Sequence, residues 1–310
     1  MYILSILAPV LIIVSLGKVL FEIKFLDSAF FSGCTKIIFW VGLPALMIYN
    51  IGNATFYISV VQKIITVLFI SVSIIIVISL ISSGFMQLSR QKRKTFIHTS
   101  FHCNISYIGL PIIFFSLVPQ GGGNELTEIA SMAAGIMILF NNTLTTIIMN
   151  CGTKRLTPLN ILKILKKIIL SPIILACILG FTISIYHISL PHAINRVLLA
   201  LGNMSLPLAL IGVGARLDFK DIHSNLKTAI FVSVMNALML PAIGYLIGKK
   251  LSLTNGEMLI ALIFLAGPAA SSSFIYAKEM NGDPILASKV ILISTLLSVI
   301  PLSIILYLFI

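Results

Sequence analysis

The chain has 310 residues, of which 58% are hydrophobic and only 10% charged, against about 45–50% and about 25% in soluble domains. With a mean hydropathy of +1.11, one water-soluble domain could not hide so much apolar surface, which excludes a soluble globular enzyme. The net charge of +12, from 21 Lys and Arg against 9 Asp and Glu, would point to nucleic acid in a soluble protein; here its meaning depends on where the basic residues lie.

Apolar runs fall at about 2–21, 33–53, 62–85, 97–118 and 128–150, then at about 168–187, 194–215, 227–248, 257–277 and 286–309. Each can cross roughly 30 Å of hydrocarbon, and backbone in lipid must satisfy its own hydrogen bonds, so ten transmembrane helices are predicted. The first run has no basic residue before its apolar core and no small-x-small cleavage site, and reads as a span rather than a signal peptide. Residues 151–167 form a cytoplasmic linker between 1–150 and 168–310. Cys34, Cys103, Cys151 and Cys177 each stand alone in apolar sequence without ligand spacing, so buried thiols are expected, and neither a disulfide framework nor a metal site.

Ten spans place alternate loops on opposite sides. One side then holds 17 basic residues, and the other holds Lys63, Arg196, Lys249 and Lys250. The positive-inside rule assigns the 17 to the cytoplasm and both termini to the outside of the cell membrane. The positive surplus becomes a signal of topology, with the lipid bilayer as partner and no nucleic acid. Acidic residues sit at span ends or in loops, where they are expected to be solvated or paired with Lys or Arg.

The two halves match at an offset that falls from 163 to 157 residues near the end of each half. At 163 residues, Pro9 falls on Pro172, Gly17 on Gly180, Leu43-Pro44 on Leu206-Pro207 and Phe56 on Phe219. At 157, Pro111 falls on Pro268, Asn124 on Asn281 and Ala130-Ser131 on Ala287-Ser288. Five spans per half is an odd number, so the second half enters the membrane inverted. Inverted repeats are characteristic of secondary transporters, whose sites lie where discontinuous helices meet near the midplane.

Spans four and nine carry the candidate breaks. Span four contains His102, Asn104, Ile108, Gly109 and Pro111, and span nine contains Gly267, Pro268, Ser271, Ser272 and Ser273. Proline removes a helical hydrogen bond and glycine eases departure from helical geometry. Freed backbone groups in lipid must line a cavity or be buried in protein, and half-helix N-termini suit an anion such as a carboxylate. The alternative is that these residues merely kink helices, with serines bonded back to their own carbonyls. His98 and His102 share one face of span four; His102 is a candidate proton carrier or a neutral hydrogen-bonded histidine. Asn141, Asn142, Thr143, Thr145 and Thr146 form a polar patch in span five that either lines a cavity or ties helices together.

These segments resemble the auxin efflux carrier family, within the broad superfamily that also holds bile acid-sodium symporters. The resemblance rests on Asn104 with Gly109-Leu110-Pro111, on Phe274 to Asn281 leaving span nine, and on Ser288 to Pro301 in span ten. Leu43-Pro44-Ala45-Leu46 and Leu206 to Leu210 are similar to the family's second and seventh spans. It implies an all-α polytopic protein of two inverted five-helix repeats, with broken helices four and nine crossing at their prolines. It further implies a permease or efflux carrier that binds a small organic anion there, with Asn104 as a direct ligand. Members often carry a second Asn just after the span-nine proline, where this chain has Ser271-Ser272-Ser273, which suggests a differently shaped or more polar acid.

The expectation is therefore a secondary transporter with no cofactor, a coupling ion (H+ or Na+) or none, and a homodimer as an open assembly. Alternatives are an anion-binding sensor or channel-like protein on the same scaffold, and a sodium-coupled organic acid symporter. An intramembrane enzyme using a serine near His102 lacks any supporting motif.

Overall fold

The computed structural model describes residues 2–53, 58–117, 123–150, 170–215 and 225–310. The linker, Cys151, Phe56, Phe219, Asp218, Asp221 and the basic residues from Lys154 to Lys167 lie outside them. Twelve helices form among the described residues. These are α1 (Tyr2–Glu22), α2 (Ser28–Gly52), α3 (Ile58–Phe85), α4 (Arg90–Phe101), α5 (Ile105–Leu117) and α6 (Gly123–Asn150). After them come α7 (Pro172–Ile185), α8 (His192–Ala215), α9 (Leu226–Lys250), α10 (Asn255–Ala266), α11 (Ser273–Glu279) and α12 (Pro284–Phe309). Six of them, namely α2, α3, α6, α8, α9 and α12, are long and apolar enough to cross a membrane. Exposed side chains such as Ile12, Trp40, Phe85, Leu246 and Ile304 form a surface suited to lipid rather than water.

The contacts divide the chain into two compact units, each drawing on both halves of the sequence: 1–62, 106–139 and 162–216 in one, and 63–105, 140–161 and 217–310 in the other.

The first unit is held by close backbone approach, as expected where lipid gives no hydrophobic drive between helices. A Cβ on Gly17 would overlap the Ile211 carbonyl, and one on Gly214 would overlap the Val14 carbonyl. Thus α1 and α8 touch main chain to main chain. Gly202 meets Leu46, and Gly180 meets Ile51 and the Met47 carbonyl, seating α2 against α8 and α7. Asn50 Nδ2 donates to Ser131 Oγ at 3.0 Å, both groups buried.

In the second unit α10 is the centre. Every residue from Glu257 to Ala266 is buried, which suits a helix apolar on all sides. Its N-terminus carries a capping box, with Thr254 N–H donating to Glu257 Oε2 at 2.8 Å and Thr254 Oγ1 accepting from Glu257 N–H.

The charged residues depart from the sequence expectation. Asp27 accepts from Phe30 N–H and Asp283 from Leu286 N–H, so these acids, like Glu257, cap helices, because the first-turn N–H groups and the helix dipole offer them partners. A Lys–Glu pair does occur within α1, between Lys18 and Glu22 at 3.0 Å. Lys94 and Lys289, counted with loops in the charge tally, are buried within α4 and α12. Lys94 Nζ donates to the Met149 carbonyl at 2.9 Å, satisfying a carbonyl in the last turn of α6. Cys34, Cys103 and Cys177 are buried free thiols.

Candidate functional site

Between α4 and α5, and again between α10 and α11, the chain leaves the helix. His102 (φ −80°, ψ 82°) and Gly267 (φ −56°, ψ 139°) begin the two extended pieces. These pieces pair antiparallel, with Cys103 opposite Ala269. Asn104 N–H donates to the Pro268 carbonyl and Ala270 N–H donates to the His102 carbonyl, both at 2.8 Å. Each break thus supplies partners for backbone groups freed by the other, as a low-dielectric interior demands.

Side chains complete the accounting. Ala269 N–H donates to Ser294 Oγ of α12 at 3.0 Å. The Cys103 thiol donates to the Leu265 carbonyl and accepts from Asn236 Nδ2, both at 3.4 Å. Leu265 lies in the last turn of α10, where carbonyls lack helical donors. Among the described residues, Asn236 Oδ1, Asn141 Oδ1 and Ser273 Oγ are buried without a hydrogen-bond partner. Such an atom costs about 1–3 kcal/mol, which a bound donor would recover.

Most of the residues singled out in the sequence gather here. Asn104, Gly267, Pro268, Ser271 and Ser273 are buried at the crossing, Ser272 is half-buried, and His102 leads into it. Ile108, Gly109 and Pro111 lie beyond it in α5, within the other compact unit.

The break in span four is not at Pro111, as expected, but at His102 to Asn104. Pro111 follows a five-residue π turn, Ile105–Gly109, as Pro44 follows Ile38–Gly42 and Pro241 follows Met235–Met239. In a π turn the N–H reaches back five residues. Leu43 N–H bonds the Ile38 carbonyl, and Leu240 N–H bonds the Met235 carbonyl. The wider turn accommodates the bond that proline cannot make, and the helix continues.

His98 lies on α4 and His102 follows its end four residues later, with His102 Nδ1 at 3.4 Å from His98 Nε2. Thr145 Oγ1 of α6 lies 3.1 Å from His98 Nδ1 and 3.3 Å from His102 Nδ1. The Tyr276 hydroxyl of α11 donates to Asn142 Oδ1 at 3.2 Å. Thr145 and Asn142 therefore tie helices together, one of the two readings of the span-five patch.

Sequence reasoning missed Asn236, Ser294 and Tyr276. A lone Asn in the middle of an apolar span, five residues before Pro241, was the available signal for the first. Nothing distinguishes Ser294 from the many serines that bond back to their own helix. Among the described residues no group of three His, Cys, Asp or Glu side chains could hold a metal ion.

A family model described as membrane transport protein matches residues 2–306. No protein of curated function matches the chain.

Proposed function

The chain belongs to the membrane transport protein family, an auxin efflux carrier-like family, and from that membership we propose that it carries a small organic anion, a carboxylate, by alternating access. It is a multi-pass membrane transporter. In the proposal the spans form two inverted five-helix repeats, residues 1–150 and 168–310, with the termini outside, and the anion binds at the crossing of spans four and nine. Similar helix ends support the repeat. Left-handed residues follow α1 and α7, at Lys24 and His187, and follow α3 and α9, at Gln87 and Ser252.

The observation that carries the site is the paired break itself, in which Asn104 N–H and the Pro268 carbonyl meet at 2.8 Å. Irregular backbone at membrane depth is tolerated where it is buried or serves a cavity. Around it stand neutral groups able to donate, the Asn104 amide and the hydroxyls of Ser271, Ser272 and Ser273. Neither extended piece contains Asp or Glu, so an anion meets no fixed negative charge there.

The test is uptake of radiolabelled monocarboxylates, dicarboxylates and indole acids by proteoliposomes holding the full chain, with and without imposed pH or sodium gradients. Saturable uptake lost in Asn104→Ala supports the carrier. Binding without flux under every gradient would instead make it a sensor. Intact uptake in both Asn104→Ala and Ser272→Ala would remove the site from the crossing.

A further inference from the structure

His98 of α4 and His102, just past its end, meet a third polar group. His98 is wholly buried and His102 is 6% exposed, and with the Thr145 hydroxyl their ring nitrogens form a closed triangle of contacts at 3.1, 3.3 and 3.4 Å. One arrangement of protons on neutral rings gives two of these contacts a donor and an acceptor each. His102 Nδ1–H donates to His98 Nε2, and His98 Nδ1–H donates to Thr145 Oγ1. His102 Nε2 then remains as the one basic nitrogen. A proton added there leaves every bond in place and makes the contact between the rings charge-assisted. A second proton would have to displace that contact and set two cations side by side, with ring centroids 4.8 Å apart, in a buried place where like charges repel strongly.

The surroundings supply no competing charge in contact. On α4 itself Lys94, one turn before His98, is bonded to the Met149 carbonyl. Of the packed helices, α6 carries Glu125 and Glu128 near its far end, and α11 carries Tyr276, Lys278 and Glu279. Helix α12 carries Lys289, Tyr307 and its cap Asp283, and α9 carries Lys227, Tyr245, Lys249 and Lys250. Tyr276 alone of these meets the rings, at 5.6 and 6.0 Å between centroids. Among the described residues no carboxylate forms an ion pair with either imidazole.

The pair is built into the crossing, because the His102 carbonyl accepts the Ala270 N–H and Asn104 follows two residues later. We propose that His98 and His102, bridged by Thr145, form a single-proton site that loads together with the anion, so that one proton and one anion move in the same direction. The anion half rests on the carrier reading above; the proton site does not. An anion held near Asn104 and a proton on the pair attract one another, and by linkage each tightens the binding of the other. That favours co-transport over exchange. A monocarboxylate then crosses with no net charge, and a dicarboxylate crosses with one negative charge.

The test uses the full chain in lipid nanodiscs with ¹⁵N-imidazole histidine, titrated by solid-state NMR between about pH 4 and pH 9. The protein has five histidines, and His98→Gln identifies the pair. The expected result is one proton taken up by the two rings together, in the wild type and equally in Thr145→Val, which keeps the contact between the rings. Two independent titrations, or no proton uptake by either ring, would overturn the site. In proteoliposomes, an inwardly directed proton gradient (acidic outside) should raise initial carboxylate uptake at least tenfold, and His102→Gln, which removes the basic Nε2, should abolish that ratio. Carboxylate flux indifferent to the gradient overturns the coupling and leaves the carrier reading standing. A shared proton in a protein that moves no carboxylate retains the proton site and removes the carrier reading instead.

Discussion

Ser294 accepts the N–H of Ala269 at 3.0 Å, so a hydroxyl on α12 takes the place of the carbonyl that an unbroken span nine would have offered. The same hydroxyl donates to the Ile291 carbonyl at 3.2 Å, and is thereby aimed. Ser294→Ala strands a buried N–H at a cost of about 1–3 kcal/mol. Thermal unfolding in detergent should show a lower Tm for Ser294→Ala, most of it regained in Ser294→Thr. Equal Tm for wild type and Ser294→Ala would mean that the N–H finds another acceptor.

Asn236 is wholly buried, with one amide atom engaged by Cys103 and the other unpartnered. Asn236→Leu keeps the volume and removes both polar atoms. Carboxylate uptake in proteoliposomes should fall at least about tenfold, equivalent to about 1.4 kcal/mol, while the folded yield holds. Unchanged uptake would confine Asn236 to a packing role.

The glycines of the first unit divide into two kinds. Gly214→Ala sets a methyl group against the Val14 carbonyl, which is backbone and cannot swing aside, whereas a Cβ on Gly212 meets nothing within 4 Å. The first should cost roughly 1–3 kcal/mol or more. The second should be neutral or stabilising by about 0.5–1 kcal/mol. Size-exclusion profiles of the two variants after mild heating will tell them apart.

At the N-terminus of α10, Thr254→Ala removes the acceptor for Glu257 N–H and should lower stability by about 1 kcal/mol. Thr254→Ser should restore it. A melting curve for Thr254→Ala that overlays the wild type would show the cap to be redundant with packing.

The long helices were readable because composition alone decides them. The runs expected at 62–85, 194–215, 227–248 and 286–309 appear as Ile58–Phe85, His192–Ala215, Leu226–Lys250 and Pro284–Phe309. The break in span nine was readable too, since Gly267-Pro268 leaves the chain little choice. In span four Pro111 misled, because proline states a constraint without saying how it is met, and a π turn meets it without breaking the helix. Asn236 was hidden for a related reason. It sits inside the π turn Met235–Met239, and a five-residue hydrogen-bond step turns side chains away from the faces that a 3.6-residue period assigns. The caps made by Asp27 and Asp283 depend on knowing where a helix starts, which hydropathy locates only to within a few residues.

Helix α4 reads Arg90-Gln91-Lys92-Arg93-Lys94-Thr95-Phe96-Ile97-His98-Thr99-Ser100-Phe101, and every residue from Lys94 onward is buried. Four of its first five residues are Lys or Arg, so α4 offers little apolar sequence, and Lys94 is buried where a charge is costly. It is therefore a poor client for the translocon if presented alone. Its place in the bilayer depends on Met149 and Thr145 of α6 arriving to receive its polar groups. Biogenesis of this protein should accordingly run out of chain order, with the segment that carries His98 among the last to settle.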